Sequence, residues 1–141
     1  MSEHILVPYD GSPPSADALE YALETFSDAH VTALYVVPAP DGYEALFENP
    51  EDRVPAADAA DERGRDILDD AADVAAEHGV DLETEIRTGK PDHVIVEHAE
   101  TEEVDTIVLG SHGREGVSRL LLGSVAENVV RRSPVPVVVV R

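Results

Sequence analysis

Hydrophobic residues along this chain fall into short apolar runs and longer amphipathic stretches, and the two kinds of segment alternate throughout. Residues 4–9 (His-Ile-Leu-Val-Pro-Tyr) form the first run, which predicts a buried strand broken by Asp10-Gly11-Ser12. Leu19, Ala22, Leu23 and Phe26 then recur at i, i+3, i+4 and i+7, with Asp17, Glu20 and Glu24 off that face. That period predicts a helix, with Ser12 or Ser15 as its N-cap and Pro13-Pro14 in its first turn. Val31 to Val37 reads as a second buried strand, ended by Pro38. Residues 38–55 hold Pro38, Pro40, Gly42, Pro50 and Pro55, so they predict an irregular excursion. Its Tyr43, Leu46 and Phe47 either cover a pocket or simply dock on the surface.

A long helix is expected from about Ala56 to His78. Ile67, Leu68, Ala71, Val74 and Ala75 form its apolar stripe, and Asp58, Asp61, Asp66, Asp69, Asp70 and Asp73 its wet face. Gly79 suits its stop. Val80, Leu82, Thr84 and Ile86 alternate with Asp81, Glu83, Glu85 and Arg87, which marks a strand wet on one face and hence at a sheet edge. Thr88-Gly89-Lys90-Pro91 turns into a helix with Val94, Ile95 and Ala99 inward. Val104 to Leu109 is a buried strand, a helical pattern runs from Ser124 to about Arg132, and Val135 to Val140 is the last strand.

Strands and helices therefore alternate, five of the first with four of the second. Alternation with apolar strands predicts an α/β fold, a parallel sheet covered by helices on both faces and joined by right-handed crossovers. The last strand carries Pro134 and Pro136, which suits an edge, yet it is apolar on both faces. A bare edge of that kind invites pairing. A second subunit covering Val135 to Val140 is the expected resolution.

Composition changes the picture in one respect. A chain of 141 residues is expected to be one domain spanning 1–141. It has no cysteine, no apolar segment near the roughly 18 residues of a membrane span, and no signal-peptide pattern, so a cytoplasmic protein is expected. The charge is the outlier: 30 acidic against 10 basic residues, net −20. Such a surface repels nucleic acid and anionic membranes, which excludes both as expected partners. The acidity reads either as an acidic binding surface or as adaptation to high salt; carboxylates along nearly the whole chain, with Lys90 as its one lysine, favour the second and a halophilic source. Residues 110–141 are the exception, with five arginines against Glu115 and Glu127. An anionic ligand at this end explains the exception; chance in a short segment is the alternative.

That region opens with the stretch from Leu109 to Ser124, which carries Gly110, Gly113, Gly116 and Gly123 between a strand and a helix. Strand, glycine-rich loop and helix N-terminus together hold phosphate, because glycines admit a close anion and free N–H groups attract it. An unliganded glycine-rich connection is the alternative. The P-loop signature is absent, since Thr84 and Pro91 stand where it needs glycine and Ser or Thr, and no G-x-G-x-x-G occurs. His93 and His98 lie five apart, so no metal-ligand spacing is visible along the sequence, and no nucleophile elbow is present.

Gly110-x-x-Gly113, nine residues, then Gly123-Ser124, with Ile-Leu-Val-Pro-Tyr-Asp-Gly-Ser at the start and Pro-Val-Pro-Val-Val-Val-Val at the end, resembles the universal stress proteins over the whole chain. The resemblance implies a Rossmann-like, adenine nucleotide alpha hydrolase-like fold with five parallel strands in order 3-2-1-4-5. It also implies dimerisation through the last strand, and ATP (or AMP or ADP) bound at the topological switch point. Matching positions imply that Pro8 and Asp10 line the adenosine side, with Val36 against adenine. Leu109 and Gly110 would lie under the ribose and α-phosphate, and Gly113, Gly123, Ser124 and Val125 would bond the phosphates. Asp10 has a second reading, as a cap of the first helix, and Ser124 as an N-cap. Some relatives carry a threonine two residues after that serine; here it is Ala126, so one hydroxyl contact is expected to be missing. From the residues alone, His112 is placed beside a phosphate and Arg114 against the outer phosphates. Asp10 is the one candidate to hold Mg²⁺ with the nucleotide.

The expectation is an ATP-binding regulator or adaptor of the stress response with no catalytic residues, and at most slow ATP hydrolysis. The alternatives are an adenylyl-transfer or ATP-pyrophosphatase enzyme of a related α/β fold, and a dimeric interaction module that has lost nucleotide.

Overall fold

The computed structural model describes residues 3–38, 55–111 and 123–141, without the side chains of residues 55–58. The excursion carrying Tyr43, Leu46 and Phe47 lies outside the described residues. In chain order the elements are β1 (His4–Pro8), α1 (Pro13–Thr25), β2 (His30–Pro38), α2 (Pro55–Glu77), β3 (Glu83–Gly89), α3 (Pro91–Thr101), β4 (Thr106–Gly110), α4 (Ser124–Arg132) and β5 (Val137–Val140). The strands form one sheet in order β3-β2-β1-β4-β5 with every pair parallel, as the alternation and the resemblance imply.

The period-2 geometry of a strand divides the core in two. Ile5, Val7, Val31, Ala33 and Val108 face one way and are buried with Ala18, Leu19, Ala22 and Leu23 of α1 and Leu68, Ala71 and Ala75 of α2. Leu6, Leu34, Ile107 and Leu109 face the other way, against Ile95 and Ala99 of α3 and Ala126 and Val129 of α4. Central strands buried on both faces must be apolar at consecutive positions, which is why β1 and β4 read as unbroken runs. Among the described residues no helix is long and apolar enough to cross a membrane.

Three strands start later than their hydrophobicity suggests, each for a local reason. The strand expected from Val80 begins at Glu83. Gly79, at φ 73°, ends α2 in a left-handed turn, with its N–H donating to Ala76 O and the Val80 N–H to Ala75 O. That is a Schellman motif, and it spends Val80 on capping the helix. Glu103, at φ 53°, plays the glycine's part after α3, and the Val104 N–H donates to Ala99 O, so β4 begins at Thr106. Pro134 and Pro136 have no N–H, and Val135 bonds both ways with the Ser133 hydroxyl, so β5 begins at Val137. The edge positions themselves are as expected: β3 and β5 are the two margins of the sheet.

Few charges are paired among the described residues. Arg87–Glu85 (2.7 Å) and Arg131–Glu127 (2.8 Å) lie on the surface, where such a pair contributes about 0–1 kcal/mol. With a net charge of −20, self-repulsion is expected to dominate the electrostatics. The urea midpoint is expected to rise steadily as NaCl goes from about 0.1 M to about 1 M, over which the Debye length shrinks from about 10 Å to about 3 Å. A falling profile would mean that attractive pairs outweigh the repulsion.

Candidate functional site

β1 and β4 are neighbours, but the chain leaves β1 toward β2 on one side and β4 toward β5 on the other. Their carboxyl ends therefore flank the topological switch point, the place where an open α/β sheet leaves a crevice. Each end leads into a helix N-terminus, α1 after β1 and α4 after β4.

The β1 side is a braced turn. The Tyr9 N–H donates to Leu34 O at 2.9 Å, continuing the β1–β2 pairing by one residue. Asp10 Oδ1 accepts from the Ser12 N–H at 2.9 Å and from the Ser12 hydroxyl, while Gly11 sits at φ 83° between them. Ser12 in turn is the N-cap of α1, accepting from the Ser15 N–H. Of the three cap candidates, Ser12, Ser15 and Asp10, the structure selects Ser12, and Asp10 holds the turn that carries it. Burial first, then Asp70 and Asp10, push the Tyr9 hydroxyl above its ordinary value, so it stays a neutral donor at this end of the strand.

The β4 side is set by two close approaches. A Cβ on Gly110 would stand 2.7 Å from the backbone carbon of Pro14, so the first turn of α1 lies directly against the end of β4. Beyond it, the Ser111 N–H donates to Val140 O at 3.0 Å, and the Gly123 N–H donates to Ser111 O at 2.7 Å. The chain thus departs at Ser111 and returns at Gly123 in direct contact with itself. Gly123, at φ −66° and ψ 159°, is the N-cap of α4, and Ser124 is the first helical residue. The expectation that Ser124 caps this helix is corrected: its side chain is exposed and makes no cap bond, because the extended backbone conformation of a cap belongs to Gly123.

The two helix starts differ in consequence. Ser12 serves an amide of α1, whereas no side chain of the cap residue serves the first amides of α4. Those N–H groups and the positive end of the α4 dipole face the rim of the switch point, an arrangement that accepts an anion. Val125 is partly exposed beside them, at 37%. Ala126 is not: it is 4% exposed and packs with Val129 into the α3/α4 core, so position 126 serves the fold.

Of the residues singled out from the sequence, Pro8 closes β1, Asp10 follows it, and Leu109 and Gly110 close β4. Gly123, Ser124 and Val125 open α4. Val36 lies on β2 two positions beyond Leu34, the register partner of Pro8, so it too is at the carboxyl end of the sheet. His112, Gly113 and Arg114 lie outside the described residues. Tyr9, Pro14 and Ser111 are the participants that motif spacing does not reveal, since each acts through a tertiary contact.

Known proteins share this fold. The model of the universal stress protein family matches residues 1–141. The chain is 37% identical over 147 positions to universal stress protein MJ0531 of Methanocaldococcus jannaschii, covering 97% of this chain and 81% of that protein. Among solved structures it is similar to universal stress protein UspA from Lactobacillus plantarum, with a TM-score of 0.79 at 32% identity, over 99% of this chain and 97% of that one. It is also similar to a universal stress protein solved in complex with cAMP, with a TM-score of 0.75 at 28% identity, covering 99% and 97% of the two chains. Matched from first residue to last, and carrying the same sheet, the chain belongs to the universal stress protein family.

Proposed function

We propose that this protein binds an adenine nucleotide, ATP foremost, at the β1/β4 switch point and acts as a nucleotide-dependent regulator or adaptor in the cytoplasm. The observation that carries this reading is the start of α4, whose N-cap Gly123 has no side chain to serve its first amides and which is held against the end of β4 by the Gly123–Ser111 hydrogen bond. A cAMP complex of a relative in the family supports an adenine nucleotide over a bare phosphate. In this reading Pro8, Asp10 and Val36 flank the adenosine, and Leu109 and Gly110 underlie the ribose and first phosphate. Gly113, Gly123, Ser124 and Val125 receive the phosphates, with His112 and Arg114 beside them. Asp10 Oδ1 is engaged in its turn, so any contact of Asp10 with Mg²⁺ falls to its other oxygen.

The role is holding ATP more than hydrolysing it. Lys90, the one lysine, stands at the carboxyl end of β3, with β2 and β1 between it and β4. At about 4.8 Å per strand it is roughly 14 Å away. The lysine that cradles β- and γ-phosphates in phosphoryl-transfer enzymes therefore has no counterpart here, and turnover is expected to be slow. Calorimetric titration with ATP, ADP, AMP and cAMP tests the reading. Saturable binding of ATP, weakened at least tenfold by Gly123→Val, is the expected result. Absence of binding by all four would leave the interaction-module reading; unchanged affinity in the variant would misplace the site.

A homodimer through β5 is the accompanying proposal. Val137 to Val140 are all only half-buried in the single chain, on a free sheet edge with apolar side chains on both faces. Sedimentation is expected to give twice the 15.1 kDa chain mass, including in the high salt for which we read the acidic surface as an adaptation. A monomer there would remove the proposal.

A further inference from the structure

The opposite end of the sheet carries a cluster that the nucleotide reading does not use. His4, His30 and Glu83 are the first residues of β1, β2 and β3, and these strands lie side by side. Parallel pairing sets His4 beside His30, with ring centroids 4.9 Å apart, and Glu83 beside Thr32. One ligand atom from each of the three lies within 4.8 Å of the other two.

The hydrogen bonds orient these groups. His4 Nδ1 lies 3.1 Å from Glu102 O, which can only accept, so Nδ1 carries the proton and the lone pair of the neutral ring is on Nε2. Nε2 therefore accepts from the Thr32 hydroxyl, 2.9 Å away, and the Thr32 oxygen lies 3.5 Å from Glu83 Oε2. His30 Nε2 bonds the same Glu83 oxygen. The His4 N–H is fixed separately, by Asp105 Oδ2 at 2.7 Å. A histidine that gives one ring N–H to a backbone carbonyl, and so has its tautomer and ring plane fixed, has the outer support typical of a metal ligand.

We propose that His4 Nε2, His30 Nε2 and a Glu83 carboxylate oxygen form a site for a divalent transition-metal ion of the zinc class. Two imidazoles and one carboxylate suit Zn²⁺, Co²⁺ or Fe²⁺, whereas Ca²⁺ and Mg²⁺ take oxygen donors. Tetrahedral ligation at about 2.0–2.1 Å places ligand atoms roughly 3.3 Å apart. His30 and Glu83 are half exposed, at 49% and 48%, and can rotate toward that geometry, while His4 exchanges its Thr32 hydrogen bond for the ion. His30 releases the proton it shares with Glu83, and water completes the coordination. Four residue steps of β1 separate this end from Pro8, about 13 Å, so the site is independent of bound nucleotide.

The test uses the full chain, stripped with chelator and titrated with Co²⁺ by visible absorption and with Zn²⁺ by calorimetry, in excess Mg²⁺ to occupy the surface carboxylates. One equivalent is expected, with the intense absorption of tetrahedral Co²⁺. His30→Ala and Glu83→Gln are expected to weaken binding at least tenfold with unchanged circular dichroism, and His78→Ala, a histidine elsewhere on the surface, to leave it unchanged. No saturable binding above Mg²⁺, or wild-type affinity in His30→Ala, would overturn the site.

Discussion

Gly110→Ala is expected to lower the stability of the protein by about 2 kcal/mol and to remove most of the protection that ATP gives it. The new Cβ would lie 2.7 Å from three atoms of Pro14, its backbone carbon and oxygen among them. Those atoms belong to the first turn of α1, held by the proline ring, by the Ser12 cap and by the Ser15 hydroxyl on Ser12 O. Relief therefore requires α1 and the end of β4 to part, and overpacking that moves backbone costs typically 1–3 kcal/mol. The same parting displaces Ser111, whose carbonyl receives the Gly123 N–H and so sets where α4 begins. Urea unfolding with and without ATP reads both effects. At 100 times its dissociation constant, ATP adds about 2.7 kcal/mol to the wild type. An equal increment in the variant would show that Gly110 matters to packing alone; no loss of stability without ATP would deny the close approach itself.

This residue also shows which parts of the site a sequence can disclose. Gly110, Gly113 and Gly123 are legible as a spacing, because a glycine-rich loop is local in the chain. The reason Gly110 must be glycine in the free protein is not local: it is Pro14, 96 positions earlier, brought there by the pairing of β1 with β4. The order of the strands is legible for a similar reason of scale. Alternating polarity in Glu83 to Arg87 marks one margin and the prolines before Val137 the other, and unbroken apolar runs mark the centre. Strand starts are not, because Val80, Val104 and Val135 are as apolar as strand residues while their N–H groups answer to turns. Hydrophobicity reports burial, and burial alone does not say what the backbone does.

At the amino end of the sheet the sequence conceals what the fold assembles. His4, His30 and Glu83 have no metal-ligand spacing, being 26 and 53 residues apart. Each is the first residue of its strand, unremarkable alone, and only the strand order 3-2-1 makes them neighbours. The asymmetry of charge, by contrast, is plain in the sequence, and the fold changes its meaning. Arg131 and Arg132 fall in the last turn of α4, where cations favour the helix dipole. That accounts for two of the five arginines of residues 110–141 without a ligand, so a helix start capped by a glycine, with no cap side chain for its first amides, points to an anion more strongly than the local charge does.

Ile107→Ala should produce the larger loss of stability and the opposite response to nucleotide. Ile107 is fully buried in the middle of β4, in register with Leu6 on one side and Val137 on the other, and packs among Leu34, Ile95, Ala99 and Val129. Its side chain faces α3 and α4 in a layer with helices on one side and strands on the other, and neither can collapse into the space left. Truncating it removes the transfer energy of the lost carbons and leaves a cavity, about 3–4 kcal/mol together. For a chain of this length that is a fall of roughly 10 °C in the thermal midpoint. Yet Ile107 is not among the residues assigned to the nucleotide, and its own N–H bond to Pro136 O is made by backbone. ATP should therefore add the same increment to Ile107→Ala as to the wild type, by mass action on the folded state. The pair of variants separates two meanings of a damaged protein: Ile107→Ala is weaker everywhere and still protected by ATP, Gly110→Ala is weakened less and protected little. If ATP failed to protect Ile107→Ala as well, the site would depend on the α3/α4 core as a whole, and the local account of it, built on Ser111, Gly123 and the first amides of α4, would have to be given up.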